Sequence, residues 1–96
     1  MNEIRQTPEF VKWLSGLKDR QARVHVQTRI YRLSLGLPGD VKPIREGISE
    51  MRIDYGPGYR VYFCKKGETL IFLLAGGDKS TQEKDIRTAL KLAHSL

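Results

Sequence analysis

Hydrophobic positions recur three and four residues apart from Phe10 to Leu37, every second residue from Ile48 to Phe63, and three and four apart again from Ile86. The first and last patterns predict helices and the middle one predicts strands. Around Ile4, Asn2 to Gln6 reads as a short edge strand. Thr7 then supplies a helix N-cap and Pro8 the first helical position. Phe10, Val11, Trp13, Leu14 and Leu17 form the apolar face of that helix. Gly16 weakens its end, and a second helix starts near Asp19. Ala22, Val26, Ile30, Leu33 and Leu37 give it an apolar stripe, and Arg20, Arg23, Arg29 and Arg32 fall on its outer face. The two helices are expected to form a hairpin, apolar toward a sheet and basic toward water.

Leu35 to Asp40 is a loop by its Gly and Pro content. Val41 to Arg45 is a short strand interrupted at Pro43. Ile48 to Tyr55 alternates, with Met51, Ile53 and Tyr55 on one face and Glu50, Arg52 and Asp54 on the other. Gly56-Pro57-Gly58 is a turn. In the next strand Tyr59, Val61 and Phe63 oppose Arg60, Tyr62 and Cys64. After a turn at Lys66-Gly67, Thr69 to Ala75 is apolar at nearly every position, as in a central strand covered on both sides, and Gly76-Gly77 is expected to end it. Ser80-Thr81-Gln82-Glu83 has capping-box spacing, and Ile86, Ala89, Leu90 and Ala93 mark a short C-terminal helix. The order β-α-α-β-β-β-β-α predicts an α+β fold, residues 1–96 forming a single domain with the helical hairpin packed on an antiparallel sheet.

This alternation places Glu50, Arg52 and Asp54 beside Arg60 and Tyr62, on a face expected to be open. Cross-strand neighbours lie within about 5 Å at Cβ, so Arg52 and Arg60 can share one phosphate. Tyr62 is the aromatic side chain of that face available to stack on a base. The competing reading is a wet sheet face kept charged for solubility, which antiparallel sheets commonly have. Lys79 follows the central strand just before a helix start, a position suited to an anion; a solvated turn lysine is the alternative. Gly76-Gly77-Asp78-Lys79 lacks the spacing of a phosphate-binding P-loop.

Charge sharpens this picture. The formal net charge is +6. Residues 18–66 carry eleven Lys and Arg against five Asp and Glu, whereas residues 67–96 carry four of each. A basic excess so localised suits a polyanion or an acidic protein partner. Cys64 is the only cysteine, so it is expected to act as a small hydrophobe without an intrachain disulfide. With only His25 and His94 beside it, no metal-ligand cluster and no cofactor are expected. The first residues show no signal-peptide pattern, and the run Leu70 to Ala75 is too short to cross a bilayer. A cytoplasmic protein with no membrane partner is expected.

Three segments resemble the HigB-like, addiction module killer branch of the RelE/ParE toxin superfamily. They are Glu50-Met51-Arg52-Ile53, Gly56 to Phe63 (GxGYRVYF) and Leu73 to Ile86 (containing GGxKxxQxxDI). The resemblance implies the RelE-like fold and the toxin role of a type II toxin–antitoxin system, with a cognate antitoxin protein as partner. It further implies ribosome-dependent cleavage of mRNA by attack of the RNA 2′-hydroxyl on the adjacent phosphate, without a metal. On it, Arg60 stabilises the developing charge, Arg52 binds phosphate and Lys79 supplies the basic group after the central strand. The relatives' C-terminal tyrosine or histidine is absent. Asp85 or Glu50 is left as proton acceptor, or Lys79 as a participant. Arg20, Arg23, Arg29 and Arg32, with Arg45 and Lys65, would contact RNA. Two further readings keep the same fold: a ParE-like inhibitor of DNA gyrase that cleaves nothing, and a plain nucleic-acid-binding module.

Overall fold

The computed structural model describes all 96 residues, Met1–Leu96. The elements are β1 (Glu3–Gln6), α1 (Pro8–Ser15), α2 (Arg20–Ser34), β2 (Val41–Arg45), β3 (Ile48–Ile53), β4 (Tyr59–Lys66), β5 (Leu70–Asp78) and α3 (Gln82–His94), with a 3-10 turn at Lys79–Thr81 before α3. The sheet order is β1-β5-β4-β3-β2. The α+β class is as expected, but the sheet is mixed: β1 runs parallel to β5, and the other pairs are antiparallel.

Local chemistry sets the helix starts. The Thr7 hydroxyl accepts from the Phe10 N–H at 3.1 Å and donates to the Leu74 carbonyl at 2.7 Å. Asp19 caps α2, accepting from Gln21 N at 2.9 Å and Ala22 N at 3.4 Å. At α3 the capping-box expectation fails. Ser80 belongs to the preceding turn, where Asp78 accepts both its N–H (2.8 Å) and its hydroxyl (2.5 Å). Thr81 stands at the N-cap without a side-chain cap bond. β2 spans Val41–Arg45 as expected, and the interruption at Pro43 is a register shift between Pro43 and Arg45, tolerated because β2 is an edge strand.

The helical hairpin covers one face of the sheet, burying Phe10, Leu14, Val26 and Leu33 against Met51, Ile53, Val61, Phe63, Ile71 and Leu73. Leu37, expected to extend the stripe of α2, lies beyond the helix end and is 61% exposed. The second face corrects the sequence reading more deeply. It is covered by α3, whose Ile86 and Ala89 join Ile48, Tyr62, Cys64, Leu74 and Ala75 in a second core.

Gly76-Gly77 does not end β5, which runs on to Asp78. Each glycine instead lets a neighbour touch the backbone. A Cβ on Gly76 would stand 2.2 Å from the Trp13 ring, and one on Gly77 would stand 1.8 Å from an Asp85 carboxylate oxygen. Two close approaches, one from each layer, explain the pair better than a strand stop.

Candidate functional site

The covered second face stops short of the β3–β4 turn. There the end of β3, the start of β4 and the turn after β5 enclose an open cleft of about 490 Å³ with one hydrophobic residue among its nine lining residues. Arg52, Arg60 and Lys79 line it together with Asp40 and Asp54. Register explains the convergence: Arg52 pairs across the ladder with Arg60, and Arg60 with Gly77, two residues before Lys79. In the turn, a Cβ on Gly58 would sit 3.7 Å from the Lys79 Cβ.

The three cations are not equivalent. Arg52 is engaged: its Nε and Nη2 donate to one Asp40 oxygen at 3.1 and 2.7 Å. That hydrogen bond is the main reason the Arg52 charge is held more firmly than usual. Asp40 is itself fixed. Its carbonyl accepts from Arg52 N at 2.9 Å and, at 3.4 Å, from Arg29 Nη2, which also donates to the Pro38 carbonyl at 3.1 Å. The Arg29 Nη1 donates to the Arg52 carbonyl at 2.6 Å. Burial lowers the pKa of Arg29, an effect that Asp40 opposes. Arg60 is different: its Nε is buried without a hydrogen-bond partner. A buried donor left unpaired is costly, and here it belongs to a side chain lining a polar cleft. Lys79 is exposed and forms no ion pair.

Behind the cleft lies a buried polar node. Glu50 is 2% exposed and accepts from Tyr62 Oη at 3.2 Å and Gln82 Nε2 at 2.6 Å. It ties β3, β4 and α3 together and does not line the cleft, which removes it as a solvent-accessible proton acceptor. Tyr62 is 0% exposed, so the expected stacking of a base on Tyr62 does not hold. Its hydroxyl pKa is pushed up, first by burial and then by the Glu50 charge, with Arg60 opposing. Asp85 accepts from the Thr81 hydroxyl at 2.5 Å against the Gly77 backbone and also stands outside the cleft lining.

The expected RNA-contacting residues scatter. Arg45 pairs with Glu83 at 3.0 Å. Lys65 borders a separate cavity on the hairpin side with Phe63 and Ile71. Arg20 and Arg32 are exposed on α2, but Arg23 donates to the Leu17 carbonyl and Arg29 to the loop carbonyls, so the continuous basic stripe expected on α2 is broken. Asp40, Asp54 and the supporting Gln82 were not picked out as site partners by the sequence, and Arg29, expected to contact RNA, instead braces the Asp40 loop and the end of β3. Asp54 had the right alternation, but Asp40 sits in a loop whose partner no periodicity names.

Asp19 and Tyr55 brace the turn side. The Tyr55 hydroxyl donates to Asp19 at 2.9 Å, which is the main cause holding that carboxyl below its usual range. The Tyr55 ring stacks on His25 with centroids 4.3 Å apart. No three His, Cys, Asp or Glu side chains gather as a metal site. No helix is long and apolar enough to cross a membrane.

Comparison with known proteins covers almost the whole of this architecture. An uncharacterized protein of Haemophilus influenzae is 49% identical over 94 residues, which span 98% of this chain and 95% of that relative. Residues 12–95, from within α1 through α3 and including every cleft residue, match the family described as phage derived protein Gp49-like (DUF891). The chain belongs to that Gp49-like family.

Proposed function

We propose that the protein is the toxin of a type II toxin–antitoxin pair, a member of the RelE/ParE superfamily that cleaves mRNA on the ribosome and is neutralised by a cognate antitoxin. The observation that carries this reading is the convergence of Arg52, Arg60 and Lys79 on one polar cleft, with the buried Arg60 Nε unpaired. The association of Gp49-like proteins with toxin-like phage proteins supports it, as does the basic charge.

The chemistry follows from the cleft. The RNA 2′-oxygen bonds to phosphorus as its proton passes to a carboxylate. The bond from phosphorus to the 5′-oxygen breaks, and that oxygen takes up a proton. A 2′,3′-cyclic phosphate and a 5′-hydroxyl end result. Arginine suits the dianionic intermediate because it binds phosphate bidentately and stays charged. Arg60 takes that role, and Arg52 joins it by exchanging Asp40 for phosphate. Asp54 is the exposed carboxylate of the cleft without an ion pair, so it replaces Glu50 and Asp85 as proton acceptor. Lys79 protonates the leaving oxygen.

One observation favours a second reading, a ParE-like inhibitor of DNA gyrase: both carboxylates expected from the sequence to act as bases are occupied elsewhere, Glu50 in the buried node and Asp85 by Thr81. A short pulse of expression separates the two. If amino-acid incorporation falls before thymidine incorporation, and co-expression of the adjacent small gene restores growth, the nuclease reading stands. If thymidine incorporation falls first, the gyrase reading replaces it. A harmless protein contradicts both.

A further inference from the structure

The outer face of α3 carries Lys84, Arg87 and Lys91, with Thr88 between them, around a shallow depression of about 360 Å³ lined by these four residues alone. Spacings of three and four place them in one row, opposite Ile86 and Ala89, which face the sheet. The row is uncompensated. The nearby acids are engaged elsewhere, Glu83 by Arg45 and Asp85 by Thr81, and no ion pair reaches Lys84, Arg87 or Lys91. Like charges at these spacings repel and weaken a helix. A solvated face kept only for solubility ordinarily mixes signs.

We infer that this row is a second nucleic-acid contact, a track for the phosphate backbone of single-stranded RNA leaving the cleft. The inference rests on the RNA-cleaving reading above and extends it to a surface outside the cleft. Three features favour a nucleic acid over an acidic protein. The row's depression is lined by no apolar residue that could serve as the core of a protein interface; of the exposed large apolar residues, Val11, Val24, Tyr31, Leu35 and Leu37 lie on the hairpin and the loop after it, Met1 at the first residue and Leu96 alone past the end of α3, beyond the end of the row away from the cleft. Lysine and arginine are the groups that contact phosphates without reading bases; the Thr88 hydroxyl between them donates to the Lys84 carbonyl at 3.2 Å. The row also begins beside the cleft, since α3 starts three residues after Lys79. From Lys84 to Lys91 the helix rises about 10 Å, which matches about three phosphates of a stacked strand.

The test measures binding of a fluorescein-labelled single-stranded oligoadenylate by anisotropy as salt is raised. Each phosphate contact contributes about 0.7 to the slope of log K against log salt for a single strand. The triple variant Lys84→Ala, Arg87→Ala, Lys91→Ala is expected to lose about 2 of that slope, and Arg60→Ala about 0.7. All three α3 residues are exposed, so the triple variant keeps the parent's thermal melting point or exceeds it as repulsion is removed. An unchanged slope in the triple variant overturns the track while cleavage by the parent leaves the RNA reading intact. A parent that binds polyglutamate and not oligoadenylate overturns it in favour of an acidic protein partner. A parent that neither binds nor cleaves RNA removes the nuclease reading and the track together.

Discussion

The two faces of the sheet are covered by helices but built differently. The hairpin face is an apolar core from Phe10 to Leu73. The α3 face buries apolar side chains too, yet sets Glu50, Tyr62 and Gln82 into a hydrogen-bonded node and then opens into the cleft of Arg52, Arg60 and Lys79. The contrast teaches a division of labour. Burial on one side holds the sheet rigid, and that rigidity lets the other side keep an unpaired buried donor and a cluster of like charges at a fixed distance.

The largest effect should come from breaking the hairpin face. Phe10 is fully buried, and Phe10→Ala is expected to cost about 3–5 kcal/mol in urea unfolding, a large share of the stability of a small domain. Arg60→Ala should do the reverse. It removes an unpaired buried donor, so the urea midpoint should hold or rise, while RNA cleavage falls about 10²–10³-fold. If both variants lose activity only in proportion to lost stability, the division between the faces is wrong.

A smaller effect tests the joint between α3 and the sheet. Gly77→Ala places its Cβ against the Asp85 carboxylate, and overpacking of this kind costs about 1–3 kcal/mol. The Thr81–Asp85 hydrogen bond should break, visible as a shifted Thr81 resonance. The smallest effect concerns Tyr62. Its pKa is raised above its ordinary 10.0 by burial, then by Glu50. The unfolded chain therefore loses this proton first as pH climbs past 10, so the stability it contributes is fully present below pH 10 and declines above it. Alkaline unfolding should show a slope of at most about 1.4 kcal/mol per pH unit from this group, absent in Tyr62→Phe. Equal slopes in the two proteins would place the Tyr62 hydroxyl outside the node.

The sequence disclosed the elements well because their signals are local. Thr7-Pro8 and Asp19 cap helices through neighbours two or three residues away. The alternation in Ile48–Ile53 and Tyr59–Lys66 survives intact. What it did not disclose is which layer covers which face. Glu50 and Tyr62 look solvated by alternation and are buried, because α3, which starts 32 residues after Glu50 and 20 after Tyr62, returns over them. The parallel pairing of β1 with β5 and the close approaches at Gly76 and Gly77 are likewise long-range. Arg52, Arg60 and Lys79 were legible through strand register and the toxin resemblance. Asp40 and the bracing role of Arg29, which was expected to contact RNA, were not, since a loop carboxylate and loop carbonyls leave no period to read.

The most direct test of the central claim is the chemistry of RNA ends in cells after a brief pulse of expression, compared with Arg60→Ala. The account predicts new internal cuts in translated messages, carrying 5′-hydroxyl and 2′,3′-cyclic phosphate ends, that vanish in the variant although the variant folds. Arrested growth with intact transcripts, or cuts that persist undiminished in Arg60→Ala, would contradict it.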